Sequence, residues 1–172
     1  MRMHAMVLFT VMGVWLLASY SGGAQPYRDK EHAELAKALK AAKVSLEEGL
    51  TASEREGQPI SGKFEIEEGK LQLSFYTTKG NAFSEVIVDH MSGQIAKTEP
   101  ITSGEDLTAA KAQAAAMAKA KESLRAAVDK AVKANQGFRA VSIYPALKEG
   151  HPMAEVTLAK DDTFKTVTEK LD

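Results

Sequence analysis

A displacement of 78 residues lays Leu35–Ile66 onto Gln113–Tyr144 without a gap. It pairs Ala36 with Ala114, Leu39 with Met117, Lys43 with Lys121, Ser45-Leu46 with Ser123-Leu124, Leu50 with Val128 and Ile60 with Phe138. Three additional residues around Pro145 to Leu147 reset the frame, after which Gly69 meets Gly150, Phe75 meets Val156, Phe83 meets Phe164 and Val86 meets Val167. Self-similarity on this scale marks a supersecondary unit used twice. The fold must therefore be assembled from two related pieces, with boundaries expected at 25–101 and 102–172.

Each piece opens with helical periodicity. Leu35, Leu39, Ala42, Leu46 and Leu50 recur at three- and four-residue steps, as do Leu107, Ala110, Ala114, Met117, Leu124, Val128 and Val132, which gives one apolar stripe facing a core. Asp29 and Ser103 are the expected starts, and Gly57 and Asn135-Gln136-Gly137 the stops. Ser45 and Glu48 have capping-box spacing, which admits a break near Val44. The second copy passes the same point without a breaker, so one long helix per unit is the expected form.

Beyond each helix the period changes to two. Phe64 and Ile66, then Leu71, Leu73 and Phe75, then Val86 and Val88 alternate with polar residues, with Glu68-Gly69 and Lys79-Gly80-Asn81 at the turns. Val141 and Ile143, Met153 to Leu158 and Phe164 to Val167 repeat the scheme, with Glu149-Gly150 and Asp161-Asp162 between them. The expected fold class is α+β: two repeats, each a long helix packed on a three-stranded antiparallel meander.

Arg2 and His4 precede an apolar run, Val7 to Ala18, and the small stretch Ser19 to Ala24, the order of a secretory signal peptide. The run is shorter than the about 20 apolar residues that span a bilayer, so cleavage after Ala24 and no stable membrane insertion are expected. An exported domain without cysteine must be held by an apolar core or by partners, and a mature chain of about 148 residues is long enough for a core. With 22 Lys plus Arg against 23 Asp plus Glu, the balance gives no electrostatic case for nucleic acid as a partner.

The segments Ser45-Leu46-Glu47-Glu48-Gly49-Leu50, Ile60 to Ile66, Leu71 to Thr77, and Val86-Ile87-Val88-Asp89-His90-Met91-Ser92-Gly93-Gln94-Ile95 together resemble a PepSY domain. In that family the last strand typically ends in Val-Asp, two or three variable residues, Gly and an apolar residue. The resemblance covers Ser45–Ile95 and, more loosely, Ser123 to Asp172. Ser92 stands where the family more often has Thr, and the second copy reaches Glu169-Lys170-Leu171-Asp172 without the Asp/Gly turn. The resemblance implies an exported or envelope setting and a non-catalytic role, proposed for the family to be the restraint of peptidases.

Catalysis requires a nucleophile with its base, paired carboxylates or metal ligands. His4 lies in the signal segment; His32, His90 and His151 are far apart and lack metal-motif spacing, so solvated histidines are expected and no metal or cofactor. Asp89 follows the alternating strand and precedes Ser92-Gly93. Its expected work is structural, the carboxylate binding backbone N–H groups of a turn in which Gly93 supplies the unusual backbone angle. Glu65, Glu67 and Glu68 read as a solvated strand face, with a weak cation site as the competing reading. Lys111, Lys119, Lys121, Lys130 and Lys133 read as a solvated helix face. Phe64, Phe75, Phe83, Phe138 and Phe164 fall at core positions, whereas Tyr76 alternates away from Phe75 and Tyr144 adjoins Pro145. Those two tyrosines are the candidate partner contacts.

The functional expectation is a non-catalytic binding or regulatory protein of the periplasm or secreted space, engaging a peptidase or other envelope protein through a sheet face or edge. Its competitors are a small-ligand or metal-binding periplasmic carrier with a pocket between the two units, and a scaffold or dimerising protein.

Overall fold

The structure, a computed structural model, describes residues 25–172; the expected signal peptide, 1–24, lies outside them. Four helices and seven strands follow one another there: α1 (Gln25–Leu39), α2 (Leu46–Ser53), β1 (Gln58–Glu67), β2 (Lys70–Lys79), β3 (Ala82–Val88), β4 (Ile95–Pro100), α3 (Gly104–Met117), α4 (Leu124–Ala134), β5 (Arg139–Lys148), β6 (His151–Lys160) and β7 (Thr163–Lys170). The strands form one antiparallel sheet in the order β4-β3-β2-β1-β5-β6-β7. This corrects the expectation of two repeats, each a long helix on a three-stranded meander. The sheet is continuous across the middle of the chain, and the helix of each half is broken in two.

The break has the same cause in both halves. Ser45 accepts from the Glu48 backbone N–H at 3.2 Å and Glu48 Oε2 accepts from the Ser45 N–H at 2.7 Å, a complete capping box that starts α2. Ser123 starts α4 by accepting from the Ala126 N–H at 3.1 Å. Before each cap, two consecutive N–H groups leave the helical ladder for a single carbonyl at the end of a strand: Lys43 and Val44 donate to His90 O at 2.9 and 3.0 Å, and Lys121 and Glu122 to Leu171 O at 2.6 and 3.1 Å. Helix periodicity continues through both points, so the apolar stripe survives a break that tertiary hydrogen bonds impose.

An offset of 81 residues, not 78, relates the strands: β1 onto β5, β2 onto β6 and β3 onto the first seven residues of β7. The bulge between Pro59 and Ser61 falls on the one between Ala140 and Ser142, and the positive-φ pair Glu68-Gly69 on Glu149-Gly150. The three additional residues lengthen α4 to eleven residues against the eight of α2; they do not extend the strand at Pro145, as the gapless alignment had it. Pro145 is instead a buried strand residue facing Ala154.

β1 and β5 join through Gly62 opposite Ile143 and Lys63 opposite Ser142. Gly62 and Ile143 are equivalent under the 81-residue offset, so a local twofold axis passes between them. One row of the covered face runs through that axis: Val86, Phe75, Gly62, Ile143, Val156, Val167. All but Val167 are buried, and α2 and α4, packed on each other, supply Leu46, Leu50, Leu124, Ala127, Val128 and Ala131 to the same core. The Phe75 ring fits because two glycines face it. A Cβ at Gly62 would lie 2.5 Å from its Cδ1 and Cε1, and one at Gly49 of α2 2.7 Å from its Cε2. Arg139 of β5 fastens the halves from another side, donating to Leu39 O at 2.9 Å and Val44 O at 3.3 Å with its guanidinium 5.3 Å from the centre of the Phe64 ring.

Candidate functional site

The other phase of the central strands carries polar residues. Lys63 stands between Ser74 of β2 and Ser142 of β5, and the row continues to Ile87 on one side and to Thr157 and Thr166 on the other. Tyr144 occupies in β5 the place that Lys63 occupies in β1 under the 81-residue offset, so the two flank the local axis on the same face. Tyr144 is 38% exposed; its neighbours in the strand, Ile143 and Pro145, are buried. A large aromatic side chain thus stands one residue past the two pairs that join β5 to β1, on a backbone held by pairing with Glu155 of β6, a geometry that offers contact area at little conformational cost.

The ground around it is polar and half-buried. Lys63 is ion-paired with Glu65. Burial works against its charge, but the phenol of Tyr144 and the carboxylates of Glu65 and Glu85 outweigh it, and the ammonium titrates above its ordinary range. Glu85 is pushed the unfavourable way: burial raises its pKa, nearby Glu65 and Asp106 add to the rise, and the Ser74 hydroxyl donating at 2.6 Å and Lys63 offset part of it. Tyr76 donates its hydroxyl to Asp106 Oδ1 in the first turn of α3 at 2.7 Å, and burial first, then that bond, holds the phenol protonated far above its ordinary range. Tyr76 is therefore half-buried and committed to fastening α3 to the sheet, while Tyr144 keeps part of its surface exposed, although burial raises the pKa of its phenol, with Lys63 offsetting part of the rise and Glu65 adding to it. The sequence reading joined the two as contacts; the structure separates them.

Asp89 and Gly93 form a closed turn between β3 and β4. Asp89 Oδ1 accepts from the Met91 N–H at 3.0 Å, the Ser92 N–H at 2.7 Å and the Ser92 hydroxyl at 2.8 Å, and these bonds hold the carboxyl below its ordinary range. Gly93 has φ 73° and donates to Asp89 O at 2.8 Å. The carboxylate is taken up by the turn. The histidines stay apart: His32 stacks on Phe164 at 4.3 Å, His90 lends its carbonyl to the α1–α2 break, and His151 pairs with Asp172 at 2.9 Å. Among the described residues no group of three or more His, Asp or Glu is placed to hold a metal. Glu65 belongs to Lys63, and Glu68 sits at φ 49° in the β1–β2 turn.

A groove of about 360 Å³ does lie between the halves, at the contact of α2 with α4. Leu50, Pro59, Met117 and Leu124 form much of its lining, with Glu54 and Arg125 among its polar members. A second, of about 480 Å³, lies between α1 and β1. The first is chiefly apolar and does not gather the converging polar groups that orient a small ligand, whereas the second is lined by Lys30, Glu31, His32, Glu34 and Glu65 beside Leu35, Phe64 and Ile66.

Lys63, Ser74, Glu85, Asp106 and Arg139 were not singled out by sequence reasoning. Lys63 could have been: it shares the phase of Glu65 in a strand whose other phase is Phe64 and Ile66, and its equivalent in the second half is Tyr144. No protein-family model matches the chain, and neither a curated protein nor a solved structure is significantly similar to it.

Proposed function

We propose that the chain is a non-catalytic binding protein of PepSY type that works outside the cytoplasm and restrains a peptidase through the sheet surface around Tyr144. The observation that carries the reading is the part-exposed Tyr144 of β5, paired with Glu155 of β6 and adjoining the two pairs that join β5 to β1, beside a half-buried Lys63–Glu65 pair at the junction of the two halves. A rigid aromatic anchor ringed by polar groups is the arrangement that concentrates binding energy at protein interfaces. The signal-like order of the first 24 residues supplies the compartment, and the PepSY-like segments from Ser45 to Ile95 supply the partner class.

The test is to titrate the peptidase activity of the exported-protein fraction with the chain and with Tyr144→Ala. The reading predicts a saturable fall in activity and, for the variant, a requirement for about tenfold or more protein, the loss expected on truncating a central aromatic anchor. Unchanged activity with the unaltered chain, or equal potency of the variant, contradicts it.

A further inference from the structure

β7 is an edge strand among the described residues, and its free backbone groups can be assigned. The Leu171 N–H donates to Pro152 O at 3.0 Å, so residue 171 points its peptide groups inward to β6. By the alternation of an antiparallel ladder, Val167, Glu169 and Lys165 do likewise, while Phe164, Thr166, Thr168 and Lys170 point theirs outward. The first half shows what such an edge accepts. Phe83, Glu85, Ile87 and Asp89 are the equivalents of those four under the 81-residue offset, and there the Asp89 N–H donates to Gln94 O at 2.8 Å and Phe83 O accepts from the Ile101 N–H at 2.9 Å as β4 lies alongside. β7 thus presents the pattern that β3 uses to bind a strand.

We propose that β7 pairs antiparallel with β7 of a second copy of this chain, the twofold axis passing between the two Val167 residues. Only registers that place outward residues opposite outward residues are allowed. In this one Phe164 faces Lys170 and Thr166 faces Thr168, twice each by symmetry. Four outward residues on each strand, with one N–H and one C=O apiece, then close eight hydrogen bonds. The same register sets Lys165 of one copy opposite Glu169 of the other at both ends, and opposite charges facing across strands stabilise pairing. Shifting it by two residues either way places Lys165 or Glu169 opposite Val167 and loses the match. Lys165, which donates to Asn135 Oδ1 at 2.6 Å, and Glu169, 3.1 Å from Lys130, are already held in place beside the edge. The product is a closed dimer with one sheet running through both copies, and it leaves Tyr144 free.

The chain has no cysteine, so single cysteines report the contact without background. Val167→Cys puts two thiols at a non-hydrogen-bonded pair, where Cα atoms lie about 4.5 Å apart, within disulfide reach. Under mild oxidation it is expected to form a covalent dimer about tenfold faster or more than Lys97→Cys on the opposite edge, since only the former is held at bonding distance. Sedimentation of the unaltered chain is expected to show a monomer–dimer equilibrium within about 1 µM to 1 mM. Glu169→Lys should shift it to monomer, and Lys165→Glu added to Glu169→Lys should restore the dimer, while each variant keeps a cooperative melt. A chain that is monomeric throughout that range, cross-linking of Val167→Cys no faster than of Lys97→Cys, or a charge-swapped double variant that fails to re-associate overturns the proposal.

Discussion

Gly62→Ala, made alone and together with Phe75→Val, tests the packing on which the junction of the two halves depends. The added Cβ would lie 2.5 Å from two carbons of the Phe75 ring and 3.6 Å from Leu46 Cδ1. Relaxed carbon contacts are about 3.5–4.0 Å, so the ring must move by about 1 Å, toward Gly49 and away from its rotamer minimum. Overpacking of this kind costs about 1–3 kcal/mol, against which Ala gains about 0.5–1 kcal/mol over Gly in a strand; the net expectation is a loss of about 1–2 kcal/mol. Gly62 has an ordinary strand backbone, so no strain in φ enters. In the second half Val156 and Ile143 hold the equivalent positions face to face, fully buried. With Val at 75, therefore, the methyl introduced at position 62 fills space instead of taking it, and Gly62→Ala should become neutral or stabilising. The cycle, read from urea midpoints at constant slope, is expected to show a coupling of about 2 kcal/mol. Equal losses from Gly62→Ala in both backgrounds would refute the argument.

Other perturbations follow from the polar contacts. Glu85 titrates above its ordinary value in the folded chain, chiefly through burial, so the native state holds a proton that the unfolded chain releases, and stability is lost as pH rises through that window. Glu85→Gln, which keeps an acceptor for Ser74, should be more stable than the unaltered chain at pH 7, with the difference closing below pH about 4 in denaturation curves. Arg139→Ala removes the donors to Leu39 O and Val44 O and should cost about 2 kcal/mol, the scale of hydrogen bonds made by a charged group. The loss should appear as faster amide exchange at the end of α1. Asp89→Ala deletes the acceptor of three turn donors and should speed exchange of the amides of residues 95–99 in β4 while leaving β5–β7 protected; uniform change across the sheet would argue against a local role.

What the sequence made legible is periodicity. The alternation of Leu71, Leu73 and Phe75, the turn pairs Glu68-Gly69 and Glu149-Gly150, and the apolar spacing from Leu46 to Leu50 all describe local structure, and local structure leaves a local trace. The helix breaks left only half a trace. Ser45 and Glu48 spell out a capping box, but Ser123 lacks the acid three residues on, and the carbonyls of His90 and Leu171 that force both breaks are distant in sequence. The joining of β1 to β5 has no local signature, because Gly62 and Ile143 look like a glycine within a strand and an ordinary core residue until they are seen facing each other. The misplaced insertion did have one. The gapless frame sets Lys63 and Glu65 against Val141 and Ile143, opposing the phases of two strands, and a three-residue shift within α4 removes the conflict. β4 was missed because only Ile95 of its residues is even half-buried, so no alternation marks it. At the site, Tyr144 stands out in the sequence only as the neighbour of Pro145, in an insertion that the structure places in α4 instead, and the tie of Tyr76 to Asp106 spans thirty positions, out of reach of its phase beside Phe75.

Where a partner touches the sheet is the point on which the proposed function stands. A photoactivatable benzophenone side chain placed at Tyr144, with Lys130 on α4 as the comparison position, should be exposed to light in the exported-protein fraction and the adducts identified. The expected result is a discrete adduct from position 144 that contains a peptidase and that an excess of the unaltered chain suppresses. Adducts only from position 130, or none from 144 when the unaltered chain inhibits, would contradict the assignment.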